Sequence, residues 1–314
     1  MNPTHSVGLN VSPIIVEPIM KKIIFYNDHQ NGDIALCRGI IDTVINNCET
    51  NAEFYFLMSK KNNLQFNNKV KVIYGNSNNY GFGNDCIAIN LWIGSSPTFM
   101  NRTNAPRNAW GNPVDYNISA IYDHYCEIIN LLNSNTDVKV KRTNDETDMI
   151  PKSCKDPHRK KEVDSFLESI NHFNKKVLVC NGTVHSLQCP NFDLRGSIYT
   201  LVNQLKDTAF IYTESSNNFL PNEFSVNHFV SIPNLLEIDY LSTKCDVLIS
   251  RRSGPGEVIQ TYDNFFDSAK SFIFTTDRIE ASAIYNKGTC KIFHTSDYSN
   301  ESIQNIIKKC IICQ

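Results

Sequence analysis

No apolar run in the chain approaches the ~20 residues a membrane-crossing helix needs, so no integral membrane segment is expected. Charge of one sign is missing too: 30 Lys and Arg stand against 32 Asp and Glu, a net charge of -2. A nucleic-acid coat leaves a strongly basic balance, which removes nucleic acid from the expected partners. The first twenty residues lack the basic start and unbroken apolar centre of a secretory leader. The eleven cysteines fall singly, without the spacing of a disulfide framework. Together these suggest a cytoplasmic, reducing setting in which cysteine serves as a small buried hydrophobe. The one Cys-x-x-Cys, Cys310 with Cys313, has no second pair to complete a zinc site. Asp-x-Asp does not occur anywhere.

What is present is enough apolar material for two cores: 41% hydrophobic and 20% charged residues over 314 positions. Short apolar runs read as buried strands at Lys22–Tyr26, Glu53–Met58, Val70–Tyr74 and Cys86–Ile93. Between the first two, Ile34, Leu36, Cys37, Ile40, Ile41, Val44 and Ile45 share one face of a helix over Asp33–Cys48. A helix from Val114 to Leu132 closes this half. Polar residues 133–161, with eight Lys and Arg and two prolines, suggest a solvated linker or a basic loop facing substrate. A helix near Val163–Phe173 leads out of it.

The rhythm then restarts with strand Lys176–Cys180, helix Leu194–Leu205, strand Phe210–Thr213 and strand His228–Ile232. Helix Leu235–Thr243, strand Val247–Ile249, helix Glu257–Asp267, strands Phe272–Thr275 and Lys291–His294, and a last helix through Ile307 follow. The pattern predicts an α/β chain of two Rossmann-like domains facing a central cleft. Its parts are an extension (1–20), a first domain (21–135), a linker (136–162) and a second domain (163–314).

Three loops at strand carboxyl ends carry residues suited to chemistry. Asp28, His29 and Asp33 lie in or beside the loop after the first strand, with Asn31 and Gly32. Any of the three is a candidate general base, and Asp33 at the helix start is equally a capping residue. The second loop offers Asn181, Gly182, Thr183, Ser186 and Gln188, with Thr213 at the end of the next strand. These are amide, hydroxyl and glycine groups suited to anionic oxygens, although no Gly-x-Gly-x-x-Gly occurs there. The third loop is the sharpest: Arg251, Arg252, Ser253, Gly254, Pro255, Gly256 and Glu257 bring two guanidinium groups and a glycine-proline turn to a helix start. A loop over Ser96–Tyr116, with Arg102, Arg107 and Trp110, either shapes a pocket or lies on the surface.

At these loops the chain resembles glycosyltransferases of the GT-B type. Gly32-Asp33 before an apolar helix looks like the Gly-Asp of the heptosyltransferase family, whose aspartate is the proposed base. Ser253-Gly254-Pro255 looks like the turn by which that family holds the donor diphosphate. Arg252-Ser253-Gly254 is also similar to the Arg-Ser-Gly of the N-acetylglucosaminyltransferase that completes the peptidoglycan lipid precursor. Two positions depart: Arg252 replaces the aspartate usual before Ser-Gly-Pro, and Gln260, a substrate-binding candidate because an amide still hydrogen-bonds a diol, stands where the peptidoglycan enzyme has a ribose-binding glutamate. The resemblance implies a metal-independent, inverting transferase that needs no cofactor. Its first domain would take a glycan or small sugar acceptor and its second a nucleotide-sugar donor. A nucleotide-sugar 2-epimerase and a non-catalytic sugar-nucleotide or glycan-binding protein share the implied fold.

Overall fold

Alternating apolar runs and amphipathic segments become two parallel sheets in the computed structural model. It describes residues 21–28, 31–59, 66–77, 80–81, 86–92, 118–154, 157–184, 189–214, 218–226, 235–251, 254–276 and 288–312. The first sheet holds β1 (Lys21–Tyr26), β2 (Ala52–Met58), β3 (Val70–Tyr74) and β4 (Cys86–Asn90) in the order β3-β2-β1-β4. The helix α1 (Asn31–Asn46) crosses from β1 to β2. Side chains alternate across β1 because strand residues point to opposite faces. Ile23 and Phe25 join the cluster under α1, whereas Ile24 and Tyr26 pack with Leu57, Cys86 and Ala88 on the other face.

Beyond α2 (Ile118–Asn135) and α3 (Pro157–Ser169) comes the second sheet. It consists of β5 (Lys175–Cys180), β6 (Thr208–Tyr212), β7 (Glu223–Ser225), β8 (Val247–Ser250), β9 (Ser271–Thr275) and β10 (Lys291–Thr295). Their spatial order, β10-β9-β8-β5-β6-β7, is the doubly wound Rossmann order, with its topological switch between β5 and β8. The helices α4 (Leu194–Gln204), α5 (Leu235–Ser242), α6 (Gly254–Val258), α7 (Tyr262–Phe265) and α8 (Asn300–Ile312) cover it. Among the described residues no helix is long and apolar enough to cross a membrane. The ten described cysteines are all unbridged thiols and nine of them are buried, as expected of small hydrophobes.

Two expectations change. The helix read over Glu257–Asp267 is broken into α6 and α7, because Thr261 is extended (φ -118, ψ 160). The Tyr262 amide donates to Pro151 O at 2.9 Å, and the Thr261 and Ser153 hydroxyls meet at 2.8 Å, which pulls the chain off its helical path. Residues 136–154 do not form a solvated linker: Val138, Val140, Met149, Ile150 and Cys154 are buried. Val140 makes an antiparallel bridge to Cys48, and a 3-10 turn at Glu146–Met149 starts on Asp145, whose carboxylate accepts from Thr147 N at 2.9 Å. Strand His228–Ile232 falls outside the described residues, and the third strand on that side is β7. Elsewhere the ends move by a few residues, as with β4 ending at Asn90 and α8 running on to Ile312.

Two buried charges shape the packing. Lys270, 4% exposed, donates Nζ to the carbonyls of Ser242, Thr243 and Cys245 at 3.1, 3.0 and 2.5 Å, closing the carboxyl end of α5. A cation there answers both the orphan carbonyls and the helix dipole. Arg38 on α1 pairs with Asp239 on α5 at 3.2 Å, with side chains 4% and 0% exposed. Asp239 Oδ2 also accepts from Cys154 N at 3.1 Å. The apolar cluster under α1 runs past this pair through Met149 and Ile150 into Val258, Ile259 and Phe265.

Removing one partner of a buried pair strands the other charge, so Asp239→Ala should cost ~3–5 kcal/mol in urea unfolding. Arg38→Met combined with Asp239→Leu should recover most of it. Burial pushes the Asp239 carboxyl up from 3.8 to about 6 against the opposing pull of Arg38. The folded state therefore holds this proton more tightly. Its contribution is complete below 3.8 and is lost as pH rises through about 6. The stability difference between wild type and Asp239→Asn should move against wild type across that window and stay flat above it.

Candidate functional site

In the first sheet the turn after β1 is stitched to the end of β4. Asn27, fully buried, donates Nδ2 to Cys37 Sγ at 3.4 Å. The Cys37 thiol donates to Leu91 O at 3.1 Å, and Leu91 N donates to Tyr26 O at 3.0 Å. Burial, with the nearby Asp33 charge adding to it, pushes this thiol up to about 12, so Cys37 is a neutral donor and no nucleophile. Asp28 takes the Ser77 hydroxyl on Oδ2, while its Oδ1 is buried with no hydrogen-bond partner. At the end of β4, Asn90 O is met at 3.0 Å by His124 Nε2, whose ring burial holds below the usual histidine range.

The helix α1 begins at Asn31, two residues earlier than its apolar period suggests. Gly32 and Asp33 therefore sit inside its first turn, and Asp33 is not at the cap position. Its half-buried carboxylate still lies where the helix dipole favours negative charge. His29 is outside the described residues, as are Ser186, Gln188, Arg252, Ser253 and the loop 93–117.

Across the second switch point, Asn181 follows β5 and Arg251 follows β8. Asn181 Oδ1 accepts from Glu214 N at 2.9 Å and from Thr213 Oγ1 at 3.3 Å, joining the ends of β5 and β6. Thr183 N donates to Glu214 Oε1 at 3.2 Å, and Gly182 between them is buried. Arg251 is 5% exposed. Its guanidinium donates to Asn181 O, Asn191 Oδ1 and Pro190 O at 3.3, 3.2 and 3.5 Å and lies 4.8 Å from the Phe192 ring centre. Every one of those acceptors is neutral, and Nε has no partner. Among the described residues this buried guanidinium meets no carboxylate, which leaves its charge unanswered there at the carboxyl ends of the central strands.

The glycines of the third loop do different work. A Cβ on Gly256 would fall 2.3 Å from Ser250 Oγ, so this glycine lets α6 fold back onto β8. A Cβ on Gly254 would meet nothing within 4 Å, which leaves its side of the turn open, next to half-buried Pro255. Gln260 does not line the site. It is fully buried, and its Nε2 turns back to Gly256 O at 3.4 Å and to the Glu257 carboxylate. A ribose contact from this amide nitrogen would require α6 to give up those bonds.

The first and third loops come together at Gly32. A Cβ there would lie 2.9 Å from Glu257 Cγ and 3.7 Å from Gly254 Cα. Asp33 thus stands at the junction of the two halves, and the switch-point residues of the second sheet lead to the same junction through α6. Asn27, Ser77, Asn191, Phe192 and Glu214 complete the site and were not among the sequence candidates. Among the described residues no group of three His, Cys, Asp or Glu is placed to hold a metal ion.

No family model matches the chain, nor does any curated protein. Among solved structures it is similar to a family 9 glycosyl transferase from Veillonella parvula. They share 10% identity at a TM-score of 0.55, over 94% of this chain and 98% of that one. E. coli heptosyltransferase WaaC with ADP gives 9% identity and a TM-score of 0.48 over 92% and 99%. E. coli ADP-heptose LPS heptosyltransferase II gives 8% and 0.47 over 94% and 99%. At such identities the likeness is one of fold, and the fold is the two-domain GT-B type.

The two junction glycines should separate in urea unfolding. Gly32→Ala drives a methyl into the root of Glu257 and should lose ~1–3 kcal/mol. Gly254→Ala should stay within ~0.5 kcal/mol of wild type.

Proposed function

We propose that the protein is a metal-independent, inverting glycosyltransferase, its second half holding a nucleotide-sugar donor and its first half a glycan or small sugar acceptor. The observation that carries this reading is Arg251, a buried cation whose acceptors among the described residues are all neutral, at the switch point of the second sheet. A diphosphate is the anion that such a place suits, since ligands of open α/β sheets settle outside the strand carboxyl ends. Gly254, with open space before it, allows backbone amides of the Ser253–Gly256 turn to approach the same phosphates.

In the transfer, the Asp33 carboxylate takes the proton of an acceptor hydroxyl as its oxygen attacks the anomeric carbon. The bond from that carbon to the diphosphate oxygen breaks, and the electron pair leaves with the nucleoside diphosphate. Arg251 and Arg252 meet the developing charge, a task that falls to a divalent metal in other transferases. Asp28, with one oxygen on Ser77 and the other buried and unpartnered, is the alternative base on the same strand end.

Asp33→Asn keeps the shape and an acceptor oxygen but cannot take a proton. Turnover should fall ~100-fold or more with donor affinity and melting temperature almost unchanged. Near-normal turnover would transfer the role to Asp28 or His29. Calorimetry with ADP, UDP and GDP tests the donor site: Arg251→Gln should weaken the best of them by ~1.5–3 kcal/mol. Equal affinity would remove the diphosphate from this place. Transfer should survive excess EDTA, and a donor consumed with no acceptor present would mark an epimerase instead.

A further inference from the structure

A cavity of about 800 Å³ opens along the middle and last turns of α1, away from the junction just described. Asp42 and Asn46 of α1 form one wall, Phe66 and Asn68 before β3 a second, and Lys152 with Tyr262 of α7 a third. Asp42 lies nine residues beyond Asp33, so the cavity is centred ~14 Å farther along the helix than the candidate base. It therefore draws on both halves of the molecule without sharing the Asp33–Glu257 junction.

We propose that this cavity is a second ligand site, for a short neutral oligosaccharide. Its volume is that of a small-molecule site, within the usual ~300–1,000 Å³. The charge of its described lining disfavours phosphorylated ligands. Arg38 on its floor is committed to Asp239, which leaves Lys152 as the cation against Asp42, Asp145 and Asp148 among the described lining residues. Nor are the carboxylates gathered to grip a cation. Asp148 accepts from Thr143 Oγ1 at 2.5 Å and Asp145 from Thr147 N and Oγ1, both spent on shaping their own turn. What remains for a ligand is amide groups at Asn46 and Asn68 and an aromatic platform. Tyr262 is 38% exposed, its ring held by stacking on Phe266 with centres 4.2 Å apart. An apolar ring face next to amides suits the C–H faces and hydroxyls of a sugar. The cavity would hold its sugar whether or not the cleft transfers one.

Saturation-transfer NMR on the full chain tests this with cellobiose, lactose and maltotriose as probes. At least one should bind with a Kd tighter than ~10 mM, and Tyr262→Ala and Asn46→Arg should each weaken it at least ~10-fold. Both positions are solvent-facing, so if one variant loses its fold the other still reports. Saturating ADP, UDP or GDP should leave the sugar bound. The proposal is overturned if none of the three sugars binds, if both variants bind as wild type does, or if a nucleotide displaces the sugar. Binding of spermidine or pyrophosphate here in place of sugar would overturn it equally.

Discussion

Arg38 and Asp239 meet at 3.2 Å in a place with almost no access to water, and three pieces of the molecule are fixed by that meeting. The arginine belongs to α1 of the first sheet, the aspartate to α5 of the second, and the amide of Cys154 from the connecting segment donates to the same carboxylate oxygen. A buried pair contributes little net stability, since desolvation offsets most of its Coulomb gain. It does penalise every arrangement in which the charges part, and so it selects one docking of α1. With that docking given, the neighbouring contacts have no slack. A Cβ on Gly39 would land 1.8 Å from Met149 O, and one on Gly32 would strike Glu257. One helix thus sets how closely both the connecting segment and α6 approach.

The same docking explains where the candidate chemistry sits. Because α1 is held against α6 at its first turn, Asp33 and the open side of Gly254 share one junction. On the second sheet, Arg251 meets no carboxylate among the described residues, while Arg195, farther out, is answered by Glu223 at 3.0 and 2.6 Å. The contrast between the two arginines is informative. A structural arginine in this fold is paired, stacked and hydrogen-bonded, as Arg195 is over Tyr212 and Phe219. Arg251 is stacked and hydrogen-bonded to neutral acceptors, with its Nε unpartnered and no carboxylate beside it among the described residues.

Local pattern carried most of the architecture. Val70–Tyr74 is the strand its β-branched run predicts, and the β-α rhythm of the second half leads directly to the Rossmann order. Features that depend on distant partners were not legible. The break at Thr261 is made by Pro151 and Ser153, more than a hundred positions away, and nothing within residues 257–267 announces it. The packing of residues 136–154 rests on Val138, Val140, Met149, Ile150 and Cys154, too few and too scattered among polar neighbours to mark an element by period alone. For Gln260, spacing reveals a position and not a direction, and its amide nitrogen points back to α6. The glycines and arginines of the third loop were visible from residue type alone. That Gly256 serves the fold while Gly254 faces open space appears only once Ser250 is placed beside them.

The Lys270 ammonium is sealed behind the last carbonyls of α5, and burial lowers its pKa. An acylating reagent needs both a neutral amine and a path to it. Lys270 meets the first condition more readily than a surface lysine and fails the second while α5 keeps its final turn. Its rate of acylation is then set by how often that turn frays, which makes one lysine a built-in clock for local opening of the second domain.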